Sequence, residues 1–166
     1  MRKIGALSRS AVFFAFAPGT VAGLVPWWIT GWALKPAFFG LEAARFAGYA
    51  LIALGLVPLV ESFARFALKG LGTPAPIAPT ANLVIGGFYR YMRNPMYAGV
   101  LAIIAGQAII FADARLFAYA ALVWVMFELF VLLYKEPALK RTYGGEYLRY
   151  RENVPRWIPR ITPWRG

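Results

Sequence analysis

The chain contains neither cysteine nor histidine among its 166 residues. Without cysteine it has no disulfide, no thiolate metal site and no thiol nucleophile. Without histidine, no side chain has an unperturbed pKa near neutrality, which argues against reactions that need an ordinary histidine base. Aspartate and glutamate together number only seven, so we expect no metal site.

Long stretches of the chain also carry little or no charge. Hydrophobic residues make up 60% of the sequence, and a helix needs about 20 of them to cross the hydrocarbon core of a bilayer. Four segments reach most of that length, at residues 11–34, 46–66, 95–112 and 116–134. The sequence therefore predicts an all-α integral membrane helical bundle, a single domain with about four transmembrane helices. The first segment is too long for a signal peptide, and no cleavage site with a hydrophilic chain follows it.

The basic residues are distributed unevenly around these segments. Of the 18 Lys and Arg residues, 15 fall in the N-terminus, in the loop 70–94 with its flanks, or in the tail 135–166. Only Lys35, Arg45 and Arg115 fall on the other side. The positive-inside rule then predicts that both termini are cytoplasmic, in the cytoplasmic (inner) membrane. We attribute the net charge of +11 to contact with anionic lipid headgroups rather than nucleic acid.

Three connecting regions have distinct compositions. The stretch 70–87 contains three prolines and reads as a loop. The link "ADAR" between the third and fourth segments is short enough to force an antiparallel hairpin. In the tail, Leu139, Tyr143, Tyr147 and Tyr150 share one helical face with cationic residues between them, which predicts an amphipathic helix at the membrane interface. Gly144 and Gly145 are expected to bend it.

Two glutamates lie within or next to the apolar segments. Glu128 interrupts the fourth segment, and Glu61 lies near the end of the second. An acid inside a membrane faces the bundle or a cavity, where it forms an interhelical hydrogen bond or has a functional role. One hypothesis for the chain is thus a small four-span transporter that uses Glu61 and Glu128.

A second hypothesis comes from the stretch "GGFYRYMRNPMYAG" and the later "LYKEPALKRTYGGEYLRYRENVPRWIP". In this order they resemble the isoprenylcysteine carboxyl methyltransferase family and its phospholipid methyltransferase relatives. The family's Arg-His-Pro-x-Tyr element matches 93–97, and its later elements match the following residues: Glu136, Gly144, Tyr147, Tyr150, Val154, Pro155 and Pro159. The resemblance is strongest from Gly72 to Pro159.

The resemblance implies a membrane-embedded methyltransferase that uses S-adenosylmethionine. It implies Arg93 and Glu136 as catalytic residues, with Arg93 on the side of the acceptor. The residues that it implies for cofactor binding are Ala81, Asn82, Leu83, Val84, Tyr89, Asn94, Pro95, Met96, Tyr97, Lys135 and Glu136.

The chain departs from the family pattern at three positions, two of them in this list. Asn94 replaces the usual histidine, and Lys135 replaces the first glutamate of a pair. A cation at 135 opposes the positive charges of the cofactor, unless Lys135 points away and Glu136 takes over its role. Val131 replaces an arginine that binds the carboxylate of the prenylcysteine in the eukaryotic members.

Methyl transfer from a sulfonium requires mainly alignment and desolvation. An acceptor that is already ionised needs no general base, whereas an amine must first lose a proton. The lack of histidine therefore favours an acceptor that is anionic or otherwise needs no base. The resemblance implies that this acceptor is lipophilic, an isoprenylcysteine-like carboxylate or another lipid. A relative that binds lipid but is catalytically impaired by Lys135 is the remaining alternative, and the sequence leaves the oligomeric state open.

Overall fold

The computed structural model describes residues 17–69 and 83–166. Within those two ranges every regular element is helical. Helix α1 spans Val25–Thr30 and continues a π-helical turn at Thr20–Leu24, α2 spans Ala44–Lys69, α3 spans Pro95–Phe111, α4 spans Ala114–Phe130, and α5 spans Glu136–Asn153. Single 3₁₀ turns lie at Phe38–Gly40 and Gly87–Arg90.

Helix α1 ends at Thr30, four residues before the end of the apolar segment predicted at residues 11–34. Gly31 caps it in the left-handed conformation, with φ of 58°. The hydroxyl of Thr30 donates to the carbonyl of Pro26 and accepts from the backbone N–H of Trp32. These hydrogen bonds end the helix within the apolar segment, before its first charged neighbour, Lys35. Residues 11–16 of the predicted first span lie outside the described residues.

Helices α2 and α3 pack antiparallel along a seam of glycines. Gly55 lies against Gly99, and Gly48 lies against Gly106. A Cβ built on Gly55 would lie 2.6 Å from the carbonyl oxygen of Gly99, and one on Gly106 would lie 2.6 Å from that of Gly48. Such close backbone approach is typical of small residues at helix interfaces in membranes.

The predicted hairpin between the third and fourth segments is confirmed. Helix α3 ends at Phe111, Ala112 takes the left-handed conformation, and Asp113 caps the start of α4 by accepting from the backbone N–H of Arg115. Asp113 also accepts from Lys35 at 2.6 Å and from the side chain of Arg115 at 2.7 Å. These hydrogen bonds and charges hold the pKa of Asp113 well below its usual value.

Helices α4 and α5 form one continuous helix through a π-helical segment at Val131–Lys135. Among the described residues, two helices are long and apolar enough to cross a membrane, Ala44–Arg65 and Ala114–Asn153, and Pro95–Phe111 is a shorter apolar helix. Large apolar side chains of α4 are exposed, among them Leu122 and Met126, which suits contact with lipid. The prediction of an all-α membrane bundle is confirmed, whereas the number of spans stays a prediction.

The bend predicted in the tail is confirmed, because Gly144 has φ of 50° within α5. The apolar face beyond the bend is covered by the protein itself. Tyr147, Tyr150 and Val154 are buried, and Leu83, Ile85 and Trp164 pack against them. The tail therefore packs through this face against other parts of the protein.

Candidate functional site

The site is built where the C-terminal tail pairs with the segment that precedes α3. The backbone N–H of Arg93 donates to the carbonyl of Pro155 at 2.9 Å, and that of Arg160 donates to Tyr91 at 3.0 Å. Trp164 donates likewise to Arg90 at 2.9 Å. These hydrogen bonds fix the tail against the start of α3, so that side chains far apart in the sequence converge.

Glu136 lies at the centre of this convergence, at the start of α5. Its side chain is 10% exposed, and Oε1 accepts from Nη1 of Arg93 at 2.7 Å and from Nε of Arg156 at 2.9 Å. Arg156 also donates Nη2 to Oε2 of Glu136 at 3.3 Å. The two residues implied as catalytic by the resemblance, Arg93 and Glu136, are thus brought into direct contact.

Glu128 extends the same network from α4 towards the tail. Its carboxylate accepts from Nη1 of Arg156 at 2.6 Å and from the indole N–H of Trp157 at 2.6 Å. Arg156 therefore bridges two carboxylates, and its hydrogen bonds to Glu136 raise its pKa. Glu128 thus forms an ion pair and a hydrogen bond with the tail, within the network of the candidate site.

Lys135 points into the site and not away from it. Nζ donates to Oδ1 of Asn94 at 2.6 Å and lies 5.0 Å from the centre of the Tyr97 ring. Because the apolar segment ends at Tyr134, Lys135 lies just outside it, and burial lowers its pKa to about 8. The ammonium remains mostly charged at neutral pH, and it occupies a locus that holds a cation between an amide oxygen and an aromatic face.

Arg93 carries one hydrogen-bond donor that the network does not use. Its side chain is 10% exposed, and its Nε is buried with no hydrogen-bond partner among the described residues. Nη1 is shared between Glu136 and, at 3.4 Å, the hydroxyl of Tyr147. A buried donor without a partner is costly, so an acceptor atom brought to this nitrogen would lower the free energy of the site.

Aromatic side chains form an apolar wall beside these polar groups. The Tyr97 ring stacks on Phe127, with centroids 4.6 Å apart, and meets Phe130 edge-on at 6.5 Å. Both phenylalanines belong to α4, which the π-helical segment connects to Lys135. The site thus has charged side chains around Glu136 and aromatic side chains beside them. This arrangement suits a ligand that has both a charged and an apolar part.

The structure separates the predicted cofactor residues into groups. Asn94, Tyr97, Lys135 and Glu136 belong to the charged site. Met96 is instead packed in the core of the bundle with Leu59, Phe63 and Val100, and Pro95 is buried at the first turn of α3. The side chains of these two residues are apolar, so a contact of either with the cofactor through the backbone stays a prediction.

The loop residues of the prediction lie nearer the tyrosines of the tail. The carbonyl of Tyr89 accepts from the hydroxyl of Tyr150 at 2.7 Å, and Leu83 packs on the cluster of Tyr147, Tyr150 and Val154. Val84, the next residue, is partly buried. Ala81 and Asn82 lie outside the described residues.

Sequence reasoning missed Arg156 and Trp157. Both lie inside the matched element that runs from Val154 to Pro159, so a signal was present, but nothing local in the sequence connects them with Glu128 or Glu136. Glu61, the other intramembrane acid, forms an ion pair with Arg65 on the same helix. Across the described ranges no three His, Cys, Asp or Glu residues group as a metal site.

Comparison with known proteins identifies the family of the chain. Residues 43–146 match the family model for phospholipid methyltransferase. Over 79 residues, the chain is 33% identical to protein-S-isoprenylcysteine O-methyltransferase B and 35% identical to protein-S-isoprenylcysteine O-methyltransferase A, both of Arabidopsis thaliana. Each match covers 47% of this chain and 40% of the relative, so the chain spans less than half the length of these curated relatives. No solved structure matches the chain.

Proposed function

The chain belongs to the phospholipid methyltransferase family, and from that membership we propose that it transfers a methyl group from S-adenosylmethionine to a lipophilic acceptor in the membrane. The observation that carries the proposal is the meeting of the two family motifs. Arg93 and Asn94, before α3, contact Glu136 and Lys135, after α4, at 2.7 and 2.6 Å. Residues about 40 positions apart thus form one site where the apolar segment of α4 ends.

The residues present fit the cofactor in charge and in shape. The buried Nε of Arg93, without a partner in the described part of the chain, suits a carboxylate oxygen. Tyr97 and Asn94 already hold one cation, the ammonium of Lys135, so the same surface suits a positively charged group. When bound, S-adenosylmethionine supplies the activated methyl group.

The protein's own part is to orient the reactants and exclude water. Glu136 holds the guanidinium groups of Arg93 and Arg156 in place, and Tyr97 with Phe127 covers the apolar side. Holding reactants in line and removing water are the main requirements of a methyl transfer. No step of that kind needs a histidine or a cysteine.

The engaged carboxylates favour an acceptor that is already ionised. Glu136 accepts from two arginines, and Glu128 accepts from Arg156 and Trp157, so neither presents an oxygen free of a cationic or N–H donor. Four cations surround these two carboxylates, Arg93, Lys135, Arg151 and Arg156. The excess positive charge attracts an anionic acceptor such as a carboxylate on a lipophilic molecule, for which no general base is required.

The test is a titration of the purified protein, in uncharged detergent, with S-adenosylmethionine. Wild type is compared with Lys135→Glu, which restores the family's glutamate, and with Lys140→Glu as a matched control on the exposed surface of α5. We expect saturable binding by wild type and binding about tenfold tighter by Lys135→Glu, a change of roughly 1.4 kcal/mol. Lys140→Glu should bind as wild type does.

Each other outcome selects a different function. Binding by Lys135→Glu alone would identify the natural chain as a relative impaired in catalysis. Absence of binding by all three proteins, with thermal unfolding unchanged, would sink the proposal. The transporter hypothesis has little support, since Glu61 is paired with Arg65, and Glu128 with Arg156.

A further inference from the structure

A cavity of about 630 Å³, apart from the site around Glu136, opens between the end of α2, the 3₁₀ turn before α3 and the chain beyond the bend of α5. Its charged lining consists of four arginines and one glutamate: Arg65, Arg90, Arg149, Arg165 and Glu146. These side chains give it three positive charges in excess. It shares no residue with the network around Glu136.

Arg65 is held across the mouth of this cavity by the shape of the loop. A Cβ on Gly86 would lie 2.7 Å from Nη1 of Arg65, and a Cβ on Gly87 would collide with the same guanidinium and with Glu61. Gly87 also has φ of 53°, a conformation that favours glycine. The two glycines thus leave room for the guanidinium to lie flat on the backbone, where Glu61 pairs with it.

Arg90 is fixed by one nitrogen only. Its Nε donates to the carbonyl of Trp164 at 2.7 Å, and its two terminal nitrogens have no hydrogen-bond partner among the described residues. Arg149 and Arg165 are exposed and form no ion pair within those residues. The cavity therefore offers several guanidinium donors that the fold itself does not use.

We propose that this cavity binds a phosphate group. Planar guanidinium groups bind phosphate oxygens in pairs of parallel hydrogen bonds, and arginine is favoured for that geometry. S-adenosylmethionine fits it poorly, because its sulfonium and ammonium would face an excess of three positive charges. The proposal concerns a site apart from the methyl-transfer site and does not depend on the function proposed above.

The position of the cavity indicates where such a phosphate comes from. Arg65 is the last residue of the apolar stretch of α2 that is long enough to cross a membrane. A span that ends at Arg65 would place its guanidinium at the depth at which phospholipid headgroups carry their phosphates. Basic pockets at this depth attract anionic headgroups, and the same donors suit inorganic phosphate or a soluble phosphate ester.

The experiment measures binding of phosphatidic acid to the protein in uncharged detergent, by native mass spectrometry. Diacylglycerol, which lacks the phosphate, is the matched ligand control. The double variant Arg149→Gln/Arg165→Gln removes two exposed arginines of the cavity, and Arg141→Gln removes an exposed arginine elsewhere on α5. We expect the double variant to bind phosphatidic acid about tenfold more weakly, whereas Arg141→Gln binds it as wild type does.

A competition with inorganic phosphate separates the sources. Displacement of the lipid by phosphate supports a site for the phosphate group from either source, and lack of displacement supports a headgroup site. The proposal is overturned if diacylglycerol binds equally well, or if Arg141→Gln weakens binding as much as the double variant does. It is also overturned if S-adenosylmethionine displaces the lipid and the double variant loses S-adenosylmethionine binding, since the cavity would then hold the cofactor.

Discussion

At the scale of single residues, Glu136 shows how the folded chain decides what a side chain does. Its carboxylate is buried against Arg93 and Arg156, with Arg151 at 4.0 Å. The family resemblance assigns it to the positive groups of the cofactor, and the structure adds that arginines already surround it. Glu136 thus positions Arg93 as well as carrying charge of its own.

We predict that Glu136→Ala lowers the free energy of unfolding by about 3–5 kcal/mol, the usual cost of leaving a buried charge without its partner. Arg93 is the residue left buried with its charge uncompensated. Glu152→Ala, which removes an exposed glutamate of the same helix, should change it by less than about 0.5 kcal/mol. Thermal unfolding in detergent measures both, and equal stability of the two variants would contradict the role given to Glu136.

A second residue-scale prediction concerns acid. The pKa of Asp113 is held below its unfolded value, first by the hydrogen bond from Arg115 and then by that from Lys35. Its contribution to stability is therefore complete above the unfolded pKa of about 4 and is lost as the pH falls below that value. We expect the unfolding free energy of wild type to fall below about pH 4, and that of Asp113→Asn to fall less.

The control for this experiment is Glu152→Gln, whose carboxylate is exposed. This variant should lose stability with acid as wild type does. If the unfolding free energies of Asp113→Asn and wild type fall in parallel with pH, the ion pairs of Asp113 do not contribute to the acid sensitivity of the fold.

At the scale of elements, the glycine seam sets how closely α2 and α3 approach. Gly48 and Gly55 are seven residues apart, as are Gly99 and Gly106, and each pair lies on one face of its helix.

A polar contact reinforces the bundle on another side of α3. Gln107 donates to the carbonyl of Ala22 at 2.6 Å and accepts from the indole of Trp32 at 3.3 Å, which ties the first helical segment to α3.

We predict that Gly55→Val destabilises the bundle by about 1–3 kcal/mol, the range for forcing added volume into a packed interface. The nearest atom to the new side chain is a backbone carbonyl, that of Gly99, and it moves only with its helix. Gly145→Ala is the control, because a Cβ there meets nothing within 4 Å. Urea or thermal unfolding in detergent separates the two, and a neutral Gly55→Val would mean that the helices adjust at no cost.

At the scale of the whole molecule, the charged sites lie at one end of the helices and Asp113 lies at the other. The network of Glu136 follows the apolar segment of α4, whereas Asp113 precedes it. With the positive-inside rule, this arrangement predicts that the site of the proposed methyl transfer faces the cytoplasm, where a water-soluble donor is available.

The orientation is tested by single-cysteine labelling, which the natural lack of cysteine makes direct. Phe39 and Glu152 are exposed, at opposite ends of the predicted topology. A membrane-impermeant maleimide should label Phe39→Cys in intact cells and Glu152→Cys only after lysis. The reverse pattern would invert the topology and move the site to the outer side.

Some parts of this protein follow from the sequence alone. The apolar runs, the hairpin at Ala112 and Asp113 and the bend at Gly144 depend on neighbouring residues, since run length, loop length and backbone freedom are local properties. The ordered motif elements, such as 93–97, predicted the family in the same way. These predictions are confirmed where the structure or the comparisons bear on them.

Only the tertiary structure decided which charged side chains pair and which helix faces are buried. Arg156 lies 20 residues from Glu136 and 28 from Glu128, and no local pattern connects them. The tyrosine face that predicted an interfacial helix is buried, because Leu83, Ile85 and Trp164 return to cover it. Likewise, Lys135 could be predicted as a departure, but its contact with Asn94 and Tyr97 exists only because the π-helical segment and the start of α3 lie side by side. Such contacts depend on how distant elements pack, and the sequence encodes that packing only through the whole fold.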